Sequence, residues 1–207
     1  MPKNKNEQLK SLVYVLTDHL FAALEAGEKL RAARFTQPEI DQALSTDEIL
    51  DEFHNLRAFI TDLSDWEEEL VTKTIQARKW SAYLKDQDAF FKPIIELFGS
   101  AVHPLSDIAA QISDHHDRHF EGGDHPDWFI QSRALTVEKS TTGQILAITS
   151  GDVYLVGSTV RLGQLNELCE TYLETLEARF PDLWLPSEDA ILEQNQSKHT
   201  EFSEETF

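Results

Sequence analysis

The 207-residue sequence predicts a mainly α fold: a helical hairpin or bundle with long heptad-like helices and a small antiparallel β-hairpin or meander. Three observations lead there. Apolar residues in 6–34 recur at alternating three- and four-residue steps, and a second run over 46–91 repeats the pattern for more turns. Between 135 and 156 the period shortens to two, with glycine-containing turns at both joints. The first two patterns give a helix one buried face; the third marks half-buried strands. The chain reads as one domain over 1–186, long enough for its own core, followed by an acidic tail over 187–207 expected to be disordered.

The first helix is carried by Leu9, Leu12, Leu16, Leu20, Leu24 and Leu30, and the Phe35–Pro38 stretch breaks it because Pro38 disfavours helix at Gln37. A short helical turn over 38–44 is expected next. Ser45 or Thr46 then caps the second helix, with Asp47 and Glu48 favourable at its positive end. Its seam is Ile49, Phe53, Leu56, Ile60, Leu63, Trp66 and Leu70, continued by Ala77 and Leu84. Uninterrupted, it would run roughly 70 Å; a break near Thr61–Asp65, where Ser64 and Glu67 form a capping-box pattern, is the alternative. A short helix follows over Ile94–Phe98, stopped by Gly99, and Pro104 opens another over 104–119. Residues 121–126 form a loop. Strands are expected within 135–139, 144–149 and 153–156, and Thr159 caps a last helix over 159–179 that Pro181 ends.

Charge is distributed unevenly. The net charge is -19. Residues 36–72 hold 11 acids against Arg57, and residues 164–207 hold 11 against Arg179 and Lys198. Residues 101–132 hold 6 against Arg118, and the stretches between are slightly basic. Such a field repels nucleic-acid phosphates and anionic membrane and favours a basic partner. No apolar run approaches the length of a membrane span, and the lone Cys169 has no partner for an internal disulfide, which points to a cytoplasmic protein.

One cluster has metal-ligand character. His115 and His119 lie four apart, so a helix sets both imidazoles on one face, and Asp124 or His125 would supply a third ligand from the following loop. The Glu that a zinc-protease helix places between its histidines is missing, as is a ferritin-type pair of Glu-x-x-His motifs. The competing reading is a polar helix end, with histidines meeting the negative end of the dipole before Gly122–Gly123. Phosphate cradles and the G-x-S-x-G elbow are absent. Cys169 falls on the inward stripe of the last helix, as a buried structural thiol would.

These features point to a non-enzymatic cytoplasmic interaction or regulatory protein, an inhibitor or antitoxin-like neutraliser of a basic protein partner. Its expected docking residues are Asp47, Glu48, Asp51, Glu52, Glu67, Glu68 and Glu69, with Trp128 and Trp184 at loop edges as aromatic contacts. Two alternatives stand beside it. One is a metal-binding protein or metal-dependent enzyme built on His115, His119, Asp124 and His125, with a transition metal as its only cofactor; the other is a DNA mimic that inhibits a nucleic-acid-binding protein. Direct nucleic-acid or membrane binding is not expected, and the long heptad stripes are compatible with a homo-oligomer.

Overall fold

A computed structural model describes residues 5–37, 46–121 and 126–183. In order these form α1 (Lys5–Ala32), β1 (Arg34–Thr36), α2 (Thr46–Gln87), a 3-10 turn at Ala89–Phe91, α3 (Lys92–Glu121), α4 (Pro126–Ser132), β2 (Thr136–Lys139), β3 (Ile145–Thr149), β4 (Leu155–Val156), β5 (Val160–Arg161), α5 (Leu162–Arg179) and a 3-10 turn at Pro181–Leu183. The mainly helical fold with a small antiparallel β element is as the sequence predicts. The expected helical turn over 38–44 and the acidic tail over 187–207 lie outside the described residues.

The two long helices form because each has one continuous buried stripe. On α1 it is Val13, Leu16, Leu20, Ala23 and Leu30; on α2 it is Leu63, Leu70, Ala77 and Leu84, seven apart. These stripes face each other, and α1–α2 is the most extensive helix pairing in the fold. The pair is antiparallel, with Lys29 of α1 near Glu69 and His19 near Lys73. At 42 residues α2 is unbroken through Thr61–Asp65, about 63 Å long. The Ser64 hydroxyl does not cap a new helix; it donates back to the Ile60 carbonyl at 3.0 Å. The helix stops at Gln87 because Asp88 accepts from the Phe90 amide at 3.0 Å and opens the 3-10 turn.

Three boundaries differ from the sequence reading. α3 runs through both Gly99 and Pro104. Pro104 removes one helical N–H and crowds the preceding turn, at a cost of about 3 kcal/mol. Ile94, Ile95, Phe98, Val102 and Leu105 are nevertheless all buried, on either side of the proline. At about 1.5–3 kcal/mol for each buried side chain, the continuous stripe wins. The last helix begins at Leu162 rather than at Thr159, and no side chain caps it. Instead its first amides are taken by carbonyls of the preceding loop, Leu162 N–H to Tyr154 at 2.9 Å and Gly163 N–H to Asp152 at 3.1 Å. α4, at Pro126–Ser132, begins at the end of the expected 121–126 loop, where the sequence reading placed no helix.

The expected antiparallel hairpin forms as β2–β3, but the third strand of its sheet is β1. β3 is the central strand of a three-stranded sheet, order β1-β3-β2. Phe35 pairs with Ile148 on one edge, and Val137 pairs with Ile148 on the other. The segment at 153–156 is not the third strand; β4 pairs with β5 in a separate two-stranded ladder. Gly157 and Ser158, at φ 57° and 60°, make the turn between them. α5 lies along α1 and α3 and completes the core through Leu165, Cys169, Tyr172 and Leu176.

Candidate functional site

The acidic run Glu67-Glu68-Glu69 divides between inside and outside. Glu68 and Glu69 are exposed. Glu67, expected on the outer face, is 1% exposed. The correction follows from the heptad register. Leu63, Glu67, Leu70, Thr74, Ala77, Ser81 and Leu84 are all buried, at steps of four and three along one face of α2. Trp66, which the sequence placed on the seam, is only partly buried at its margin. The polar members of this face are satisfied: Thr74 donates to the Leu70 carbonyl, Ser81 donates to the Ala77 carbonyl at 2.7 Å, and Tyr172 donates to Ser81 at 2.9 Å.

Glu67 holds a buried junction between α2 and the β region. Arg133, 7% exposed, presents Nε to both carboxylate oxygens, at 3.1 and 2.9 Å. Tyr154 Oη donates to Oε2 at 3.0 Å, and the Gly157 amide donates to Oε1. The remaining Arg133 donors reach outward from the ion pair. Nη1 donates to Ser158 Oγ at 2.6 Å and Ser132 Oγ at 3.2 Å, and the guanidinium sits 5.1 Å from the Phe129 ring centre. Burial, the largest influence, would lower the Arg133 pKa, but Glu67 and Tyr154 together more than offset it and the net shift is upward. Tyr154 is pushed well above the ordinary tyrosine value, first by burial and then by Glu67, so it remains a neutral donor. Each Glu67 oxygen already accepts from two donors. This carboxylate therefore has its bonding capacity filled by its own chain and acts as a lock rather than a reacting group.

The other predicted residues separate. Asp51, Asp62, Asp65 and Glu69 are exposed along one strip of α2, at positions related by steps of three and four through Asn55 and Ala58. Asp47, Glu48 and Glu52 belong to the first turns of α2, and Trp128 belongs to α4, but their side chains lie outside the described residues, as does Trp184. His115 and His119 fall on the last turns of α3. Their side chains, with Asp124 and His125, also lie outside the described part. Among the described residues no group of His, Cys, Asp and Glu is placed to hold a metal ion. Cys169 is buried, and burial followed by the nearby Glu170 charge pushes its thiol up to about 12. It is thus an unreactive core thiol at neutral pH.

A second acidic strip, not singled out from the sequence, runs along α5: Glu167, Glu170, Glu174 and Glu177 are all exposed, at steps of three, four and three. That spacing was its available signal. At the top of this strip an open groove of about 410 Å³ lies where the end of α1 meets the start of α5, lined by Arg31, Asp152, Arg161, Asn166, Glu167 and Glu170 among others. Arg31 is held there by Glu28 at 3.1 Å and Asp152 at 3.0 Å. Among the described residues no helix is long and apolar enough to cross a membrane. Comparison of the chain with family models, with curated proteins and with solved structures finds no match.

Proposed function

We propose that this is a non-enzymatic cytoplasmic binding protein that docks on a basic protein partner through its acidic helical exterior, as a regulator or inhibitor of that partner. The observation that carries this reading is the exposed strip of α2, where Asp51, Asp62, Asp65 and Glu69 share one face with Glu68 beside it. A rigid 42-residue helix holds these carboxylates in a fixed row, and such a row focuses a negative field along its length. The filled coordination of Glu67 supports the same reading, because the most deeply buried carboxylate of the described residues is committed to holding the fold together.

The test is kinetic. A basic partner captured from the native source and purified should associate quickly at low salt. Its on-rate should fall on the order of tenfold or more between about 0.05 and 0.5 M salt. Glu68→Lys with Glu69→Lys should slow association by several-fold and leave dissociation nearly unchanged. An on-rate indifferent to salt and to both substitutions would reduce these carboxylates to a solvated surface. Competition by duplex DNA for the same partner site would direct the reading to DNA mimicry.

A further inference from the structure

Two large apolar side chains that are more than half exposed lie on one strip of α1: Tyr14 is 52% exposed and Phe21 51%. They are one heptad apart, and the next heptad position is Glu28, whose carboxylate accepts from Asn166 Nδ2 of α5 at 3.4 Å. That contact identifies the strip as the flank of α1 that borders α5. Just beside it the two helices pack tightly, since a Cβ on Gly27 would overlap the Asn166 amide. On α5 the row bordering α1 is equally identifiable. Glu170 is close enough to Arg31 of α1 to act on its charge, and Glu177 follows it by one heptad. With Glu174 between them, the α5 row is exposed throughout. Asp18, exposed between Tyr14 and Phe21, lies on the outer side of the aromatics. The result is an aromatic strip with carboxylates along both margins, about 10 Å from Tyr14 to Phe21 along the helix axis, with Lys10 a turn beyond its end.

We infer that this α1–α5 face is a docking surface for a basic amphipathic helix, whose apolar side chains at i and i+7 cover Tyr14 and Phe21 while its lysines or arginines meet Asp18 on one side and Glu170, Glu174 and Glu177 on the other. This rests on the acidic-docking reading above and adds to it a surface and a partner geometry. Charge selects the occupant. A second copy of the chain would bring another -19 to a face that is already acidic. An apolar helix without cations would leave the two carboxylate margins unmatched.

A labelled synthetic helix of about 18 residues, with leucines at i and i+7 and lysines on both flanks, provides the probe, read by fluorescence anisotropy against the full-length protein. A counterpart with glutamate for every lysine is the control. The lysine helix is expected to bind one to one. Tyr14→Ser with Phe21→Ser should weaken it on the order of tenfold or more, and Glu170→Lys with Glu177→Lys should do the same. Asp62→Lys with Glu68→Lys on α2 should change binding less than about twofold, as expected for sites that do not share the interface. All these positions are exposed, and circular dichroism checks that each variant is folded. Binding that responds only to the α2 substitutions overturns this surface and leaves acidic docking standing. A lysine helix that does not bind, or a glutamate helix that binds equally, overturns the surface as well. If, in addition, the native basic partner associates with an on-rate indifferent to salt, the broader reading falls with it. Dimerisation abolished by Tyr14→Ser with Phe21→Ser would assign the face to a second copy and refute the proposal.

Discussion

Replacing Glu67 by Leu removes a carboxylate that accepts from Arg133, Tyr154 and Gly157. The leucine side chain is close in size, so the cost is mainly electrostatic. Arg133, 7% exposed, would retain the hydroxyls of Ser158, Ser132 and Tyr154 and the Phe129 ring, with no carboxylate against its charge. An uncompensated buried charge costs about 3–5 kcal/mol. Tyr154 and the Gly157 amide would add up to about 1–3 kcal/mol each where no water reaches them. The sum approaches the whole stability of an ordinary domain, so Glu67→Leu is expected to be largely unfolded or to lose at least about 4 kcal/mol. The discriminating variant is Glu67→Leu combined with Arg133→Met, which removes both charges. It should recover the part of the loss that comes from the uncompensated Arg133 charge, about 3–5 kcal/mol, and retain only the cost of the Tyr154 and Gly157 donors left without their acceptor. Urea unfolding followed at 222 nm measures all three. A Glu67→Leu protein within 1 kcal/mol of the parent, or a double variant no better than the single one, would refute the ion-pair account. The same logic separates the three consecutive glutamates: reversing Glu68 and Glu69 leaves stability nearly unchanged, whereas any reversal that includes Glu67 unfolds the protein.

Other outcomes follow from single contacts. Gly157→Ala is expected to cost about 2–3 kcal/mol in urea unfolding, because its φ of 57° disfavours a side chain and the new Cβ would overlap Ile108. Stability should decline above about pH 9. Cys169, held near 12 in the folded chain, ionises near 8.5–9 when unfolded, so its contribution is intact below that value and is lost as pH rises toward 12. Tyr154 and Tyr172, also raised by burial, extend the loss from about pH 10 upward. Cys169→Ala should flatten the first part of that decline, and a Cys169 that reacts with a thiol reagent in the folded protein at the same rate as in urea would refute its burial. Protein purified without a histidine tag is expected to gain no thermal stability from Zn²⁺, Mn²⁺ or Fe²⁺, and His119→Ala to cost no more than about 1 kcal/mol. Stoichiometric metal by elemental analysis would instead establish the His115/His119 alternative.

The helical part of the fold was legible because long elements repeat their signal. Leu63, Leu70, Ala77 and Leu84 state the core face of α2 four times, and no single exception can shift it. Short elements had no such redundancy. β1 has three residues, too few for period-two alternation, and exists because Arg34, Phe35 and Thr36 fill the free edge of β3. Gly99 was read as ending one helix and Pro104 as opening the next, by their local preferences, whereas the buried stripe from Ile94 to Leu105 decided the outcome. The missing cap of α5 has the same origin: carbonyls of Tyr154 and Asp152, supplied by the fold, replace the side chain that sequence reasoning expects.

Glu67 was misread for a different physical reason. A carboxylate inside a run of three glutamates is assigned to solvent on burial statistics, which hold unless a partner is present. Its partner, Arg133, lies 66 residues away, on the link between α4 and β2, and Tyr154 and Gly157 come from still farther along the chain. No local pattern carries that information, although the heptad step from Ile60 through Glu67 to Thr74 and Ser81 marks the position as inward. The consequence for function is a division of labour within five residues of one helix. Glu67 draws Arg133 and the β4–β5 turn onto α2, and in doing so fixes the helix face that carries Asp65, Glu68 and Glu69 outward. In the proposed docking role, the exposed carboxylates hold a fixed geometry because one member of the run, Glu67, is turned inward and paired.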